Sequence, residues 1–494
     1  MTDENPSSGG GWWFRHGPAI AVLACVGLFQ VATIREGHEW GDDFAQYLLH
    51  ARNLATGHPY ASTGYLLNPE AVAVGPAAYP PATGVLLAPV YALYGLALAP
   101  MKAAMALLIV VALAGVHLVF RRRLSRVNGA LLLAAIGFNP VLWRLKDAIG
   151  SDLLFLAICF LTLAGAQGLA RYAGPLAARA ALGVPLGLGI YAATATRSIG
   201  VVLVGAVLLH GLLQRRAVAL VAPGVAAAVA VALIAVQRAW LPIEGVYVQW
   251  FQDTFSIVAP LGYARQYVGE LRGFVENEYS LLAATGVFFT IAGLAAVGAW
   301  TSLRREIGVV ECFLVLYAGM ILLFPPVQRY LLPMLPLLLF YTFRGAEVIG
   351  SRMAGTGRWA PTAVLASLLA ATYAGAYSRT PFGPVEDGAT QPQFNELCAF
   401  IKANTDPADR FLFRKPRALA LFADRATAPF SPETDAAGLE RLIAAIGARY
   451  LITANLRHPE FAMEPTSVMP LVAARPDRFT AVFANGRFTL YRIQ

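Results

Sequence analysis

The chain contains little charge. Only 14% of its 494 residues are charged and its mean hydropathy is +0.58, whereas soluble proteins carry about one quarter charged residues. A soluble core of this size needs a charged shell, but helices that face lipid need none. The scarcity of charge excludes a single soluble domain, and the 57% hydrophobic content indicates a chain largely buried in a membrane.

Cysteine is also scarce. Of the four cysteines, Cys25, Cys159 and Cys312 lie in apolar runs and only Cys398 lies in a polar region, so no exported pair is available for a disulfide. The net charge of +9 comes from short arginine clusters between apolar runs. A nucleic-acid partner is therefore not expected, because it would require a continuous basic face.

Apolar runs long enough to cross about 30 Å of hydrocarbon predict about eleven membrane spans. They are 18–34, 101–120, 129–145, 152–170, 180–196, 198–213, 217–236, 281–300, 307–324, 328–343 and 359–378. A further run, 82–98, starts at Tyr79-Pro80-Pro81 and is interrupted by Pro89. We predict that it forms a helix along the outer interface and does not cross.

With the N-terminus inside, every second junction between spans is basic, which is the positive-inside pattern. The basic junctions contain Arg15, Arg121 to Arg126, Arg171 and Arg179, Arg215 and Arg216, Arg304 and Arg305, and Arg344 to Arg358. If 82–98 crossed the membrane, the Arg121 cluster would face outward. The pattern predicts a multi-pass protein of the inner (plasma) membrane, with a cytoplasmic tail at 1–17, a transmembrane domain at 18–378, outer loops at 35–100 and 237–280, and an extracytoplasmic domain at 379–494.

The first apolar run has a second interpretation. Val22-Leu23-Ala24-Cys25 loosely resembles a lipoprotein cleavage site, which would make the segment a signal peptide. The same residues serve equally as a first span, and no downstream feature requires cleavage.

The chain turns polar at Ser378, and the tail alternates helical with strand-like patterns. Helices are predicted at 393–404 and 436–446, and strands at 410–414, 449–453, 480–483 and 488–493. Asn485-Gly486 between the last two strands is typical of a hairpin turn, because these residues tolerate positive φ. A small α/β domain is therefore expected.

The first outer loop contains an acidic pair, Asp42-Asp43, just after the first span. On a helix, Asp43 and Tyr47 share a face, and His50 follows on the same side, so a carboxylate, a phenol and an imidazole could line one surface. An interfacial helix whose acidic first turn is stabilised by its dipole explains the same residues. The spacing does not decide between the two.

Other charged residues lie between apolar runs on the predicted outer side. Lys146, Asp147 and Asp152 lie within seven positions, although such residues often snorkel to the interface. Arg197 and Arg329 have no topological reason to be there, and an ionisable residue so near hydrocarbon is a functional candidate. A guanidinium binds phosphate with paired donors, while a salt bridge to an outer carboxylate is the alternative for Arg329.

The order of these blocks resembles the GT-C glycosyltransferases that use polyprenyl-phosphate sugars, such as aminoarabinose transferases and protein O-mannosyltransferases. The matching blocks are Asp43 with Tyr47, the stretch Ala51 to Tyr60, Tyr79-Pro80-Pro81 with Gly95, Ser151-Asp152, Thr196-Arg197, and the run from Arg329-Tyr330 to Pro333. The resemblance covers about 12–378, and no single motif in it is specific. The chain has Asp42-Asp43 where the family often has Asp-Glu, so the position of a catalytic base is open by one residue.

The resemblance implies that a sugar moves from a polyprenyl-phosphate donor to an extracytoplasmic glycan, lipid or protein, by direct displacement beside the membrane lipids. Such transfer needs a base for the acceptor and positive charge for the phosphate. Asp43 is the expected base and Asp42 the reserve. The expected substrate-binding residues are Arg329, Arg197 and the weaker candidate Lys146 for phosphate, Asp152 or Asp147 for orientation, and Tyr47, Tyr79 and Tyr330. No cofactor is required, although the outer carboxylates could hold a divalent metal.

Two other functional classes fit the composition. A transporter or flippase of a lipid-linked envelope precursor predicts polar residues near the midplane of several spans, whereas the charges here gather at their outer ends. A non-catalytic scaffold gives no reason for acids and arginines to converge. The aromatic residues from Trp240 to Tyr279 suit contact with a sugar or headgroup, and equally an interfacial belt.

Overall fold

The computed structural model describes residues 10–68, 75–241, 259–275, 281–431 and 434–494. These ranges contain nineteen α-helices, numbered here in chain order. They are α1 Gly10–Ala32, α2 Asp43–Thr56, α3 Ala82–Tyr94, α4 Leu98–Phe120, α5 Arg126–Gly137, α6 Pro140–Asp147, α7 Asp152–Arg171, α8 Leu176–Thr196, α9 Val202–Leu213, α10 Val221–Trp240, α11 Ala259–Arg272, α12 Leu281–Leu303, α13 Val309–Ile321, α14 Leu335–Gly350, α15 Ala360–Tyr377, α16 Pro392–Asn404, α17 Pro416–Ala423, α18 Ala436–Ile446 and α19 Val468–Ala473.

The chain is a polytopic α-helical membrane protein. In the described ranges, seven helical segments are long and apolar enough to cross a membrane, and five shorter helices are also apolar. The seven are Leu98–Phe120, Asp152–Arg171, Leu176–Thr196, Ala217–Trp240, Thr285–Leu303, Gln328–Gly350 and Gly355–Tyr377. The number of spans predicted from the sequence, about eleven, remains a prediction.

The predicted continuous span 129–145 is wrong in one respect, because the structure contains two helices there. Pro140 has no N–H for a helical bond, and the Asn139 side chain accepts the N–H of Val141 at 2.9 Å as an N-cap. The Asn139 amide also donates to the Phe274 carbonyl at 3.0 Å and to the Tyr373 hydroxyl at 2.9 Å. The break is therefore a buried junction between α5, α11 and α15.

The segment 82–98 forms a separate short helix, as predicted. α3 starts after Pro80-Pro81, and Gly95 ends it with φ of +60°, a conformation that favours glycine. α4 then starts at Leu98 and runs for 23 residues, about 35 Å. The position of α3 along the interface remains a prediction. Much of the aromatic loop, including Tyr247, Trp250 and Tyr279, lies outside the described residues.

The tail forms the expected small α/β domain. Its five-stranded sheet has the order β2-β1-β3-β5-β4, in which β1 lies parallel to β2 and β3, and β5 lies antiparallel to β3 and β4. The strands are β1 Arg410–Leu412, β2 Ala426–Ala428, β3 Tyr450–Ala454, β4 Phe479–Ala484 and β5 Phe488–Ile493. Gly486 has φ of +79° in the turn before β5. The sequence patterns do not predict β2, α17 or α19.

The tail packs on the loop that follows α1. Trp40 is fully buried, with its ring centroid 5.0–6.0 Å from those of Phe394, Phe461 and Phe488. The Thr427 carbonyl of β2 accepts the N–H of Leu66 at 2.9 Å, and the N–H of Thr427 donates to the Gly64 carbonyl at 2.8 Å. The loop thereby extends the edge of the sheet, so the two segments form one folded unit.

Candidate functional site

Asp43 is the first residue of α2 and contacts two other parts of the chain. Its Oδ2 accepts a hydrogen bond from Arg329 Nη1 at 2.8 Å, and its Oδ1 accepts one from the Tyr79 hydroxyl at 2.6 Å. The Asp43 side chain is 35% exposed and that of Arg329 41% exposed. A ligand can therefore reach this ion pair without rearrangement of the fold.

The charge at this position favours an ionised carboxylate. Burial raises the pKa of Asp43, but two nearby guanidinium groups and the hydrogen bonds outweigh it and lower the pKa to about 2. Asp43 is thus a carboxylate at neutral pH. Its basicity is held down by the same cations that surround it.

A second ion pair lies beside the first. Asp152 starts α7, and Arg197 immediately follows α8 and donates to the Asp152 Oδ1. The Arg197 guanidinium also lies 5.3 Å from the centre of the Tyr330 ring, a cation–π distance. Tyr47 contacts Ser151 by a hydrogen bond and packs on Tyr79 at a centroid distance of 5.1 Å.

The four charged groups alternate in sign. Asp43 pairs with Arg329 and Asp152 pairs with Arg197, and Arg329 is also attracted by Asp152. Two carboxylates and two guanidiniums thus lie at helix ends on one side of the helical domain. An alternating set of this kind can exchange an internal carboxylate for an external anion at little electrostatic cost.

Asp42 contacts the tail domain. Its carboxylate accepts the N–H of Ala418 at 3.1 Å and that of Arg417 at 3.4 Å, and burial raises its pKa. These N–H groups belong to the first turn of α17 and have no partner within that helix. Asp42 therefore caps a helix of another domain, a role that leaves its oxygens engaged.

Arg417 is a site residue that the sequence patterns miss. It is fully buried and donates to the Tyr79 hydroxyl at 2.7 Å and to the Pro76 carbonyl at 3.0 Å. Its Nη1 lies 3.6 Å from the Asp43 Oδ1. Lys415-Pro416-Arg417 marks a helix start, since proline favours the first helical position, but no local signal shows that this start meets a loop 338 residues earlier in the chain.

Lys146 and Asp147 lie in a different buried cluster. Asp147 pairs with Lys146 at 2.8 Å and with Arg35 at 3.2 Å, and Lys146 also donates to the Thr33 carbonyl at 2.8 Å. Lys102 donates to the carbonyls of Arg35 and Gly37 at 2.7 and 2.6 Å. These cations satisfy carbonyl groups where α1 ends, so the cluster joins α1 to α4 and α6.

His50 supports the site from below. The N–H of Tyr79 donates to His50 Nε2 at 3.1 Å, so Nδ1 carries the proton and donates to the Tyr60 carbonyl at 2.9 Å. Burial lowers the pKa of His50 to about 4, and its ring stacks on that of Tyr60 at 4.0 Å. The imidazole is therefore neutral and fixes the Tyr79 backbone, while its own surface is buried.

Solved structures provide the comparison. The chain superposes on "ArnT from Cupriavidus metallidurans bound to Undecaprenyl phosphate" with TM-score 0.58 and 14% identity, over 97% of this chain and 98% of that one. It superposes on "Archaeal oligosaccharyltransferase AglB from Archaeoglobus fulgidus in complex with an inhibitory peptide and a dolichol-phosphate" with TM-score 0.60 and 13% identity, over 98% and 75%. Both are GT-C glycosyltransferases. The chain has the GT-C fold.

The fold is established by structure alone. No family profile matches the chain, and no curated protein matches it in sequence. The resemblance to the GT-C family that the ordered blocks indicated is confirmed at the level of the fold. Identity of 13–14% is too low for the sequences to carry more.

Metal binding has less structural support. Within the described residues, no group of three or more histidine, cysteine, aspartate or glutamate side chains is placed to hold a metal ion. Another structure with the GT-C fold, from Archaeoglobus fulgidus, is a complex with Zn and sulfate (TM-score 0.60, 12% identity, 93% of this chain and 71% of that one). In this chain, the carboxylates of Asp43 and Asp152 are each paired with arginine.

Proposed function

We propose that this protein is a membrane glycosyltransferase that moves a sugar from a polyprenyl-phosphate donor to an acceptor outside the cytoplasm. The observation that supports it best is the exposed Asp43–Arg329 pair next to the Asp152–Arg197 pair. Direct transfer needs a base and phosphate-binding cations within one site. The GT-C fold, seen also in proteins bound to undecaprenyl phosphate and to dolichol-phosphate, supports the donor class.

Arg329 binds the donor phosphate in this proposal. An arriving phosphate offers the guanidinium a charge and geometry equal to those of the carboxylate, and Arg329 is exposed enough to meet it. Arg197 adds positive charge from behind, held in place by Asp152 and Tyr330. Exchange of partners at Arg329 releases the Oδ2 of Asp43.

Asp43 then acts as the general base. Its basicity rises when the phosphate shares the charge of Arg329, because part of the electrostatic stabilisation of the carboxylate is withdrawn. The acceptor hydroxyl or amine gives its proton to Oδ2 while its oxygen or nitrogen forms a bond to the anomeric carbon of the sugar. The bond between that carbon and the phosphate oxygen breaks, and the electron pair leaves with polyprenyl phosphate.

Location follows from topology. With the N-terminus in the cytoplasm, the ends of α7 and α8 that hold Asp152 and Arg197 face the outside of the inner (plasma) membrane, together with the tail domain. A donor lipid in the outer leaflet would then reach Arg329 sideways. The acceptor, a glycan, lipid or protein, would come from the extracytoplasmic side.

The test is transfer by the purified full-length protein in nanodiscs, with synthetic undecaprenyl-phosphate sugars as donors and release of undecaprenyl phosphate as the readout. Mass spectrometry of lipid-linked sugars and envelope glycans from cells with and without the gene identifies the acceptor. We expect one lipid-linked sugar to accumulate and one glycan modification to disappear without the gene. Movement of intact donor across a bilayer without cleavage would instead establish a transporter.

A further inference from the structure

Arg417 has a geometry that its role in domain packing does not require. A buried cation is costly unless each donor is used, and a packing residue at this place could be apolar. Instead the guanidinium lies 4.5 Å from the centre of the Tyr65 ring and 4.8 Å from that of Tyr79. Its Nη1 is aimed at the Tyr79 hydroxyl, one bond away from Asp43.

The direction of this hydrogen-bond chain is fixed by chemistry. A guanidinium can only donate, so the Tyr79 oxygen accepts from Arg417. The single proton of that hydroxyl must then point to Asp43 Oδ1, at 2.6 Å. Oδ1 is thereby held as an acceptor, and Oδ2, which faces Arg329, is left as the oxygen that can take a proton.

We infer that Arg417 is a positioning residue for sugar transfer, through which the tail domain orients Tyr79 and selects the Oδ2 of Asp43 as the reactive oxygen. This inference rests on the proposed function. Arg417 is fully buried and so does not touch the substrate. Its effect passes through one hydroxyl, which makes the tail domain part of the catalytic apparatus.

Several charged or titratable groups act on Asp43 and must be considered together. Loss of Arg417 removes one of two cations near this carboxylate, so the pKa of Asp43 should rise. The remaining groups stay in place in every variant below. They are Arg329 from the turn before α14, Tyr79 from the segment before α3, Asp42 beside Asp43, Tyr47 in α2, and the Asp152–Arg197 pair from α7 and α8.

The test compares Arg417→Gln with Arg425→Gln in the full-length protein. Arg425 is also buried in the tail, but it donates to Thr405 Oγ1 and to backbone carbonyls of the tail. For Arg417→Gln we expect kcat to fall by about 100-fold, the effect of a small misplacement. Its donor KM should change little, and the acidic limb of the pH profile should move to higher pH. Arg425→Gln should leave that limb unchanged.

A double-mutant cycle with Tyr79→Phe tests the path. If Arg417 acts through the hydroxyl, Arg417→Gln adds little to the loss of kcat in the Tyr79→Phe background. Full additivity would overturn the inference. Hydrogen exchange at the amides of Leu66 and Thr427 checks that the tail stays packed. If Arg417→Gln unpacks it, Tyr79→Phe decides the question, because it must shift the acidic limb by itself.

A readout without turnover separates this inference from the proposed function. Isotope-edited infrared spectroscopy of ¹³C-aspartate protein, with Asp43→Asn as the blank, follows the titration of Asp43 directly. We expect the Asp43 signal to titrate at higher pH in Arg417→Gln than in wild type or Arg425→Gln. Absence of this difference overturns the role of Arg417. A wild type that releases no undecaprenyl phosphate overturns the proposed function and leaves the titration result standing.

Discussion

Asp42 and Asp43 are consecutive residues whose carboxylates serve different domains. Asp43 accepts from Arg329 of the helical domain, while Asp42 accepts two N–H groups at the start of α17 in the tail. Since Asp43 starts α2, the pair stands at the boundary between a helix of the candidate site and the surface on which the tail packs.

This division predicts opposite effects of two matched substitutions. Asp43→Asn should lower sugar transfer by about 10²–10⁴-fold, the usual contribution of a general base, because an amide cannot take the proton. Asp42→Asn should retain transfer, since asparagine caps a helix nearly as well as aspartate. The measurement is release of undecaprenyl phosphate, with binding of undecaprenyl phosphate checked in parallel. Loss of activity only in Asp42→Asn would assign the base to Asp42.

Arg329 should show a difference between charge and geometry. Arg329→Ala should weaken donor binding more than Arg329→Lys, because lysine retains the charge but loses the paired donors. The measurement is the dissociation constant of undecaprenyl phosphate. Arg344→Ala is a matched control, since Arg344 pairs with Glu347 in the last turns of α14. Unchanged affinity in Arg329→Ala would move the phosphate site to Arg197.

Trp40 should dominate the packing of the tail on the loop. It is fully buried, and replacing such a ring by alanine costs about 3–5 kcal/mol. In Trp40→Ala we therefore expect faster hydrogen exchange at the amides of Leu66 and Thr427. Trp240, 88% exposed, is the matched control, and Trp240→Ala should leave these amides protected. Equal exchange in both variants would show that the tail is held elsewhere.

Glu464 should make the stability of the tail depend on pH. It is buried, accepts the N–H of Ala454 at 2.7 Å, and burial raises its pKa from 4.5 to about 8. The folded state then holds the proton more tightly than the unfolded state. Its contribution is fully present below pH 4.5 and is lost as pH rises through about 8.

The check is local exchange of the Ala454 amide as a function of pH, after correction for the intrinsic pH dependence of exchange. Glu464→Gln cannot ionise, so its stability should change less over the same interval. Glu440→Gln is the control, because Glu440 is only partly buried and pairs with Arg475 and Arg478. Parallel profiles for wild type and Glu464→Gln would contradict the prediction.

Topology can be tested with two single cysteines in a background without the native ones. A membrane-impermeant maleimide applied to intact cells should label Glu396→Cys and leave Arg122→Cys unlabelled, since both positions are exposed on opposite predicted sides. The native Cys398 is unsuitable because its thiol is buried. Outside labelling at position 122 would mean that α3 crosses the membrane.

Local patterns predicted much of this molecule. The helical domain, the separate α3, and four strands of the tail follow from apolar runs, prolines and alternation, all of which are signals within about ten residues. Seven of the candidate site residues lie together in the structure: Asp43, Tyr47, Tyr79, Asp152, Arg197, Arg329 and Tyr330. Their catalytic and binding roles remain predictions.

The remaining features depend on contacts distant in sequence. Lys146 and Asp147 have the same local signature as Asp152, and only the end of α1 distinguishes them by supplying carbonyls to Lys146. Arg417 lies in a tail helix without a signal for the site. Span 129–145 was predicted as one helix because apolar content outweighed Asn139-Pro140, whose cap needs partners from α11 and α15.

The strand pairing between the first outer loop and β2 has a consequence for biogenesis. Asn68 donates to the Pro429 carbonyl across 361 residues, so the loop emerges from the ribosome long before its partner. At about 5–20 residues per second, this delay is roughly 20–70 s. During that interval Trp40 and the loop edge are exposed. A nascent chain of this kind depends on protection by insertion factors or chaperones until its last quarter has been exported.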